Sequence, residues 1–253
     1  MAEWLPHMKK ETSQTVDRAL ALLSLFSEEE ELGISEISLA MGIDRTSISR
    51  LVSSLEKADF LQKNEETRKY RLGMRLLYLG MLVEERNELA MQALPFMKQL
   101  SEQFQVTSLL STLENNQVRV LHKVSAGPVV YMSARVGLLL PAYCMASGKL
   151  LLAYSGTENI QSYLSNTPLS AMTRNTIVDP ALLSEEFQRI LLQGFAEDNG
   201  EATIGLSCIS VPVYGPQRRV IAAFSLSGQS EIVQSNRLAM LNSLKNVSLQ
   251  LSN

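Results

Sequence analysis

Residues 44–61, DRTSISRLVSSLEKADFL, put Ile48, Leu51, Val52 and Leu55 on one helical face and Arg45, Thr46, Ser47, Ser49, Arg50 and Ser53 on the other. The i, i+3, i+4, i+7 spacing predicts a helix docked on a core through its apolar stripe. Asp44 suits the N-cap, and the hydrophobic run stops near Ala58 and Asp59. An ordinary solvated face is built from Glu and Lys pairs, yet the single acidic residue inside this helix is Glu56. Short hydroxyls beside arginine suit close approach to phosphates and base edges.

The flanking segments fit the same use. Upstream, GISEISLAMGI predicts a short helix capped by Ser35, then a turn at Gly42 and a buried Ile43. Two helices around a glycine turn make a helix-turn-helix, whose second helix enters the major groove. QTVDRALALLSLF adds a third helix, with Val16, Ala19, Leu20, Leu23 and Phe26 at helical spacing. Downstream, DFLQKNEETRKYRLG predicts two short strands forming a wing, with Arg68, Lys69 and Arg71 placed to reach DNA backbone or minor groove.

The net charge of −3 excludes a globally basic nucleic-acid coat. Locally the balance reverses: residues 45–75 hold eight basic side chains against four acidic ones. The acidic run Glu28–Glu31 is expected to face away from DNA. A chain of 253 residues with 45% hydrophobic residues exceeds one small domain and can bury a sizeable core. MAEWLPHMKK lacks the apolar run of a secretory signal, and GLLLPAYCMASGKLLLAY, broken by Pro141 and Lys149, is too polar to span a bilayer. Two cysteines, Cys144 and Cys208, make no disulfide framework, so a cytoplasmic location is expected. His7, His122 and the separated cysteines offer no metal-ligand spacing, and no cofactor is expected.

Three segments are expected: a winged helix-turn-helix over 1–73, ordered from about residue 12, a linker helix over 74–92 and an α+β domain over 93–253. The linker carries Leu76, Leu77, Leu79, Met81 and Leu82, too many apolar residues for a solvated connector, and pairing with a second copy is their expected use. Pro95 then starts a new helix running to about Phe104. Beyond it, VTSLLSTLE, QVRVLHKV, VVYMSAR, GLSCISVPVY and VIAAFSLSG are strand-like. Asn115-Asn116 and Gly215-Pro216 mark hairpins, and helices are predicted at 145–153, 180–193 and about 235–251, the middle one capped by Asp179 and closed by Gly194. Consecutive antiparallel strands flanked by helices make an α+β sheet domain.

The ordered set SQTVDRALALLSLF, ISEISLAMGIDRTSISRLVSSLEKADFL, YRLGMRLLYLG, MASGKLLLA, GFAEDNGE to GLSCISVPVYGP, and VIAAFSLSG resembles the IclR family of bacterial transcriptional regulators across nearly the whole chain. The resemblance implies a winged helix, a dimerising linker helix and a GAF-like effector-binding domain, in a homodimer or homotetramer that controls a catabolic operon. Repression is the implied outcome, activation the alternative. Carried over position by position, the effector site comprises Met132, Leu140, Ala146, Ser147, Asp198, Leu206, Cys208, Ser225 and Ser227, with Gly148 beside Ser147.

Strand alternation supports that set independently. Leu206, Cys208 and Ser210 share one face of their strand, and Ile221, Ala223, Ser225 and Ser227 fall together on theirs. Ser147 and Gly148 open a helix, where free N–H groups favour an anion, so a small organic or aromatic acid is the expected ligand. Nothing here supplies an arginine to clamp it. An enzyme would need Cys208 as nucleophile with His122 as base and Asp198 behind it. Cys208, however, lies in an apolar strand, where cysteine is more often an inert small hydrophobe.

Overall fold

In the computed structural model, which describes residues 12–126 and 134–252, the chain divides between Arg86 and Asn87 into two units. The first contains α1 (Gln14–Ser24), α2 (Ile34–Met41), α3 (Arg45–Lys57), the strands β1 (Leu61–Lys63) and β2 (Tyr70–Leu72), and α4 (Met74–Glu85). Its core is small: Leu22, Phe26, Ile37, Ile48, Val52, Leu61 and Tyr70, with Leu51, Leu55 and Ile43 packed around them. Asp44 caps α3 by accepting the Ser47 N–H at 2.9 Å, and Gly42 ends α2 in the left-handed region at φ 65°.

Several expectations for this unit change. Helix α2 starts two residues earlier than a Ser35 cap requires: Gly33 is its N-cap, and its N–H donates to the Glu36 carboxylate at 2.7 Å. That is half of a capping box, read three residues downstream. On α1 the buried positions are Leu22 and, just past its end, Phe26, while Val16 and Leu20 are more than half exposed. Leu23 and Phe26 of the expected stripe do join the core, so the inner face is shifted toward Leu22 at the helix's C-terminal half. Glu31 does not simply point away: its carboxylate accepts from Asn64 at 2.7 Å and Thr67 at 2.9 Å, fastening the wing turn.

The second unit opens with α5 (Glu88–Phe104), capped by Asn87, which accepts the Ala90 N–H at 3.0 Å. Pro95 lies inside this helix rather than at its start. Burial of Ala90, Ala93, Met97 and Leu100 holds the helix through the missing hydrogen bond. Strands β3 (Thr107–Glu114), β4 (Gln117–Ser125), β5 (Leu139–Pro141), β6 (Ala196–Asn199), β7 (Leu206–Tyr214) and β8 (Val220–Gln229) form one antiparallel sheet in the order β5-β4-β3-β8-β7-β6. The β3–β4 hairpin turns on Asn115 and Asn116, both at positive φ. Strands β5 and β6 were not anticipated; each is short and lies at a sheet edge. The predicted strand at 129–135 falls largely outside the described residues, and Ala134 and Arg135 belong to no strand.

Helices α6 (Ala146–Ala153), α7 (Thr157–Asn166) and α8 (Pro180–Gln193) pack on one side of the sheet; α5, α9 (Ser230–Ser235) and α10 (Arg237–Leu251) pack on the other. Helix α8 is capped as expected, Asp179 accepting the Ala181 N–H at 2.8 Å and Gly194 closing it at φ 75°. Ile209, Val211, Val213, Phe224 and Leu226 face α5 and α10. Cys208, Ala196, Ala223 and Val118 face α6 and α8. The alternation expected for β7 and β8 is thus present from Ala223 onward. Ile221 drops out, because a register skip beside Tyr214 leaves it 43% exposed.

Candidate DNA-reading face and ligand face

On α3 the core takes Ile48 and Val52 completely, so the opposite side must face solvent. Arg45, Thr46, Ser49, Arg50 and Ser53 are exposed, and Ser47 is half-buried beside the cap. Neither Arg45 nor Arg50 is ion-paired among the described residues. Two free guanidinium groups and three open hydroxyls on a rigid capped helix can meet phosphates and base edges. The wing residues are less alike. Arg68 sits at the hairpin tip with φ 59°, near Glu65 at 3.5 Å and open to solvent. Lys69 turns inward to the Glu36 carboxylate at 2.8 Å, and Arg71 donates to Gln62. Lys69 therefore braces the wing against α2, whereas Arg68 keeps only an exposed contact with Glu65 at the tip.

Helix α4 has no buried residue within its unit. Met74, Leu77, Tyr78, Met81 and Val83 are half exposed or more, and Leu79 is 36% exposed. Met74, Leu77, Tyr78 and Met81 line a surface groove of about 320 Å³ with Asp59 and Arg75. Gly73, just before the helix, is required by a close approach: a Cβ there would lie 2.2 Å from the Asp59 carbonyl oxygen.

The sheet face toward α6 gathers most of the residues expected to hold a ligand. Asp198, Cys208, Ser227 and Thr107 stand opposite one another across β6, β7, β8 and β3. Ser210, Ser225 and Leu109 form the next row, and Ser225 donates to Ser210 at 2.8 Å. Ser227 donates to the Ser207 carbonyl at 3.3 Å. Ala146, Ser147 and Gly148 open α6 and are buried, Ala146 in the cluster that contains Cys208, with Leu140 of β5 against it. Leu206 is half-buried at the start of β7, and Met132 lies outside the described residues. Gly148 is required for this seat, since a Cβ would fall 2.2 Å from the Ala142 carbonyl oxygen.

Electrostatically this face is unusual. Lys149, 1% exposed, is paired with Glu186 at 3.1 Å and Glu201 at 2.5 Å. Glu186 also holds Arg189. Burial pushes the Glu201 carboxyl up to about 7 against the pull of Lys149, and its Oε2 has no hydrogen-bond partner. Burial likewise raises Asp198 to about 6, although the backbone N–H of Glu201 donates to it at 2.6 Å. Sequence reasoning missed Lys149, Glu186 and Glu201. A lysine inside the apolar run ASGKLLLA was the available signal, because such a lysine buries only with a counter-charge.

The nucleophile arrangement does not assemble. Burial, then the Asp198 charge, pushes the Cys208 thiol up to about 12. His122 pairs with Leu110, on the α5 side of the sheet, away from Cys208.

Residues 81–253 match the family description "Bacterial transcriptional regulator IclR C-terminal", and residues 15–65 match "IclR helix-turn-helix domain". The chain is 31% identical to the HTH-type transcriptional regulator XynR of Escherichia coli K12 over 227 residues, 89% of this chain and 90% of that protein. Among solved structures, an IclR transcriptional regulator from Alicyclobacillus acidocaldarius superposes with a TM-score of 0.82 at 26% identity, covering 95% of this chain and 98% of that one. An IclR homologue from Microbacterium hydrocarbonoxydans, complexed with 4-hydroxybenzoate, gives 0.76 at 26% identity, covering 92% and 99%.

Proposed function

This chain belongs to the IclR family of bacterial transcriptional regulators, and we propose that it represses a catabolic operon as a homodimer until a small carboxylate binds its second unit. The observation that carries the DNA-binding half is the face of α3. Thr46, Ser47, Ser49, Arg50 and Ser53 enter the major groove, while Arg45 and Arg68 meet phosphates and Lys69 holds the wing that presents Arg68. The unpartnered apolar side of α4 supports dimerisation, with a tetramer as a further assembly. A two-fold protein calls for a near-palindromic operator with half-sites one helical turn, or a multiple, apart. The work is cytoplasmic, with Cys144 and Cys208 as free thiols.

The ligand half rests on the α6-side sheet face. Leu140, Leu206 and Cys208 contact the carbon skeleton, and the N–H groups at Ser147 and Gly148 with the hydroxyls of Ser225 and Ser227 meet the carboxylate. Ala146 and Asp198 close the site. The 4-hydroxybenzoate bound by the homologous protein is an acid of the class this face suits. An effector can shift operator affinity only by binding two arrangements of the dimer unequally. The test is operator binding measured with and without an acid panel that includes 4-hydroxybenzoate. An acid that binds and lowers operator affinity is expected; a protein whose operator binding ignores every acid it binds refutes the switch.

A further inference from the structure

To meet a carboxylate, the Ser225 and Ser227 hydroxyls must give up their present bonds to Ser210 and to the Ser207 carbonyl. A carboxylate there still needs a cation, and no arginine stands on those strands where one would serve. The missing charge is concealed by a β-bulge. In β4 plain alternation would put Val118, Val120 and His122 on one face and Lys123 on the other. The ladder does not run plainly: Val120 pairs with Ser111, but the next pair is His122 with Leu110, leaving Leu121 over. The extra residue reverses the alternation beyond it. Leu121 and Val124 pack against the α5-side core, while Val118 and Val120 remain in the α6-side clusters. Lys123 now stands directly across from Leu109, in the row that continues to Ser225 and Ser210.

We propose that Lys123 supplies the cation for the effector's carboxylate, an inference that rests on the ligand reading above and names its charge partner. Lys123 is half-buried, and its ammonium donates to the Ala134 carbonyl at 3.1 Å, over the cluster of Leu109, Val120 and Ala134 against which Leu140 packs. No carboxylate pairs with it among the described residues. Burial lowers its pKa, and the neighbouring Arg135 charge pushes the same way. A partly desolvated ammonium that donates to a neutral carbonyl gains more from an arriving anion than a fully solvated one does. Asp198 and Glu201 lie at the far side of the sheet, on and just past β6, where they do not neutralise it.

The experiment is calorimetry on the full-length protein with 4-hydroxybenzoate and a panel of small monocarboxylates, each paired with its neutral amide. For an acid that binds the wild type, Lys123→Met should weaken binding roughly tenfold or more, about 1.4 kcal/mol. The amide should bind both proteins alike, and Lys123→Arg should recover most of the acid affinity. The amide comparison separates lost charge from a disturbed strand, because a disturbed strand weakens both ligands. Equal acid affinity in wild type and Lys123→Met, or equal losses for acid and amide, overturns the role of Lys123 and leaves the acid effector standing. If no carboxylate binds the wild type, the acid-effector reading falls first and Lys123 with it.

Discussion

In the N-terminal unit the carboxylates whose titration is displaced lie in the open and move down: hydrogen bonds from Ser47 lower Asp44, those from Gly33 and Lys69 lower Glu36, and those from Asn64 and Thr67 lower Glu31. In the C-terminal unit the two carboxyls nearest the ligand face are buried and move up, Asp198 to about 6 and Glu201 to about 7. The first unit uses charge at its surface to cap helices and tie a hairpin, which leaves its reading face rigid. The second keeps charge inside, where each ion depends on a specific counter-ion. Losing one partner of an exposed pair costs little, whereas the buried charges are coupled as a set.

The largest expected effect breaks that set. Lys149→Met leaves Glu201 buried without its cation, while Glu186 keeps Arg189, and should cost about 3–5 kcal/mol of stability. Chemical denaturation followed in the C-terminal unit measures it. Adding Glu201→Leu should return part of the loss, since the two sites are coupled. A neutral single variant would mean that water reaches the cluster.

Next comes the opposed response to pH. A carboxyl raised in the fold favours its neutral form, so its stabilising contribution is fully present below the unfolded value and fades as pH rises toward the folded one. For Glu201 that window runs from 4.5 to about 7 and is on the order of 3 kcal/mol. Hydrogen exchange of the β7 and β8 core amides should show opening becoming easier from pH 4.5 to 7.5, and Glu201→Gln should flatten the trend. The lowered Asp44, Glu36 and Glu31 act the other way. Their contribution is full above about pH 4.5 and lost as pH falls through their lowered values. Core amides of α3 should therefore be insensitive to pH above 5 and weaken only on stronger acidification.

Arg50→Ala should leave the fold intact and cost about 1–3 kcal/mol of operator affinity with relaxed specificity, if it reads a base. Arg68→Ala should weaken all sequences alike and reduce the salt slope. Fluorescence anisotropy at several salt concentrations separates the two. The smallest effect belongs to Lys69→Met: an exposed ion pair with Glu36 contributes little to stability, so the melting midpoint should barely move. A large drop would show that the wing is held through that lysine alone.

What could be read from the residues follows the same division. The start and stop of α3, the Gly42 turn, the Asp179 and Gly194 ends of α8 and the Asn115-Asn116 hairpin all depend on neighbours within a few positions, and local rules found them. Cys208, Ser225 and Ser227 come together in the sequence through the family resemblance, and the clean alternation of β7 and β8 supports that placement. The Lys149 cluster was missed because its partners lie 37 and 52 residues away. Pro95 was misplaced because packing on the sheet, not helix propensity, sets the length of α5. Lys123 was passed over because face assignment by parity fails wherever a strand carries one residue too many.

That surplus residue also says where the chain can change length. With Leu121 removed, Ser111 opposite Val120 would be followed without a gap by Leu110 opposite His122, and every later side chain would keep its face. An added residue anywhere else in β4 would instead exchange the two faces beyond it. Among relatives of this protein, insertions and deletions in the strand should therefore gather at position 121, the one place where the gene can gain or lose a codon without rewriting what the ligand meets.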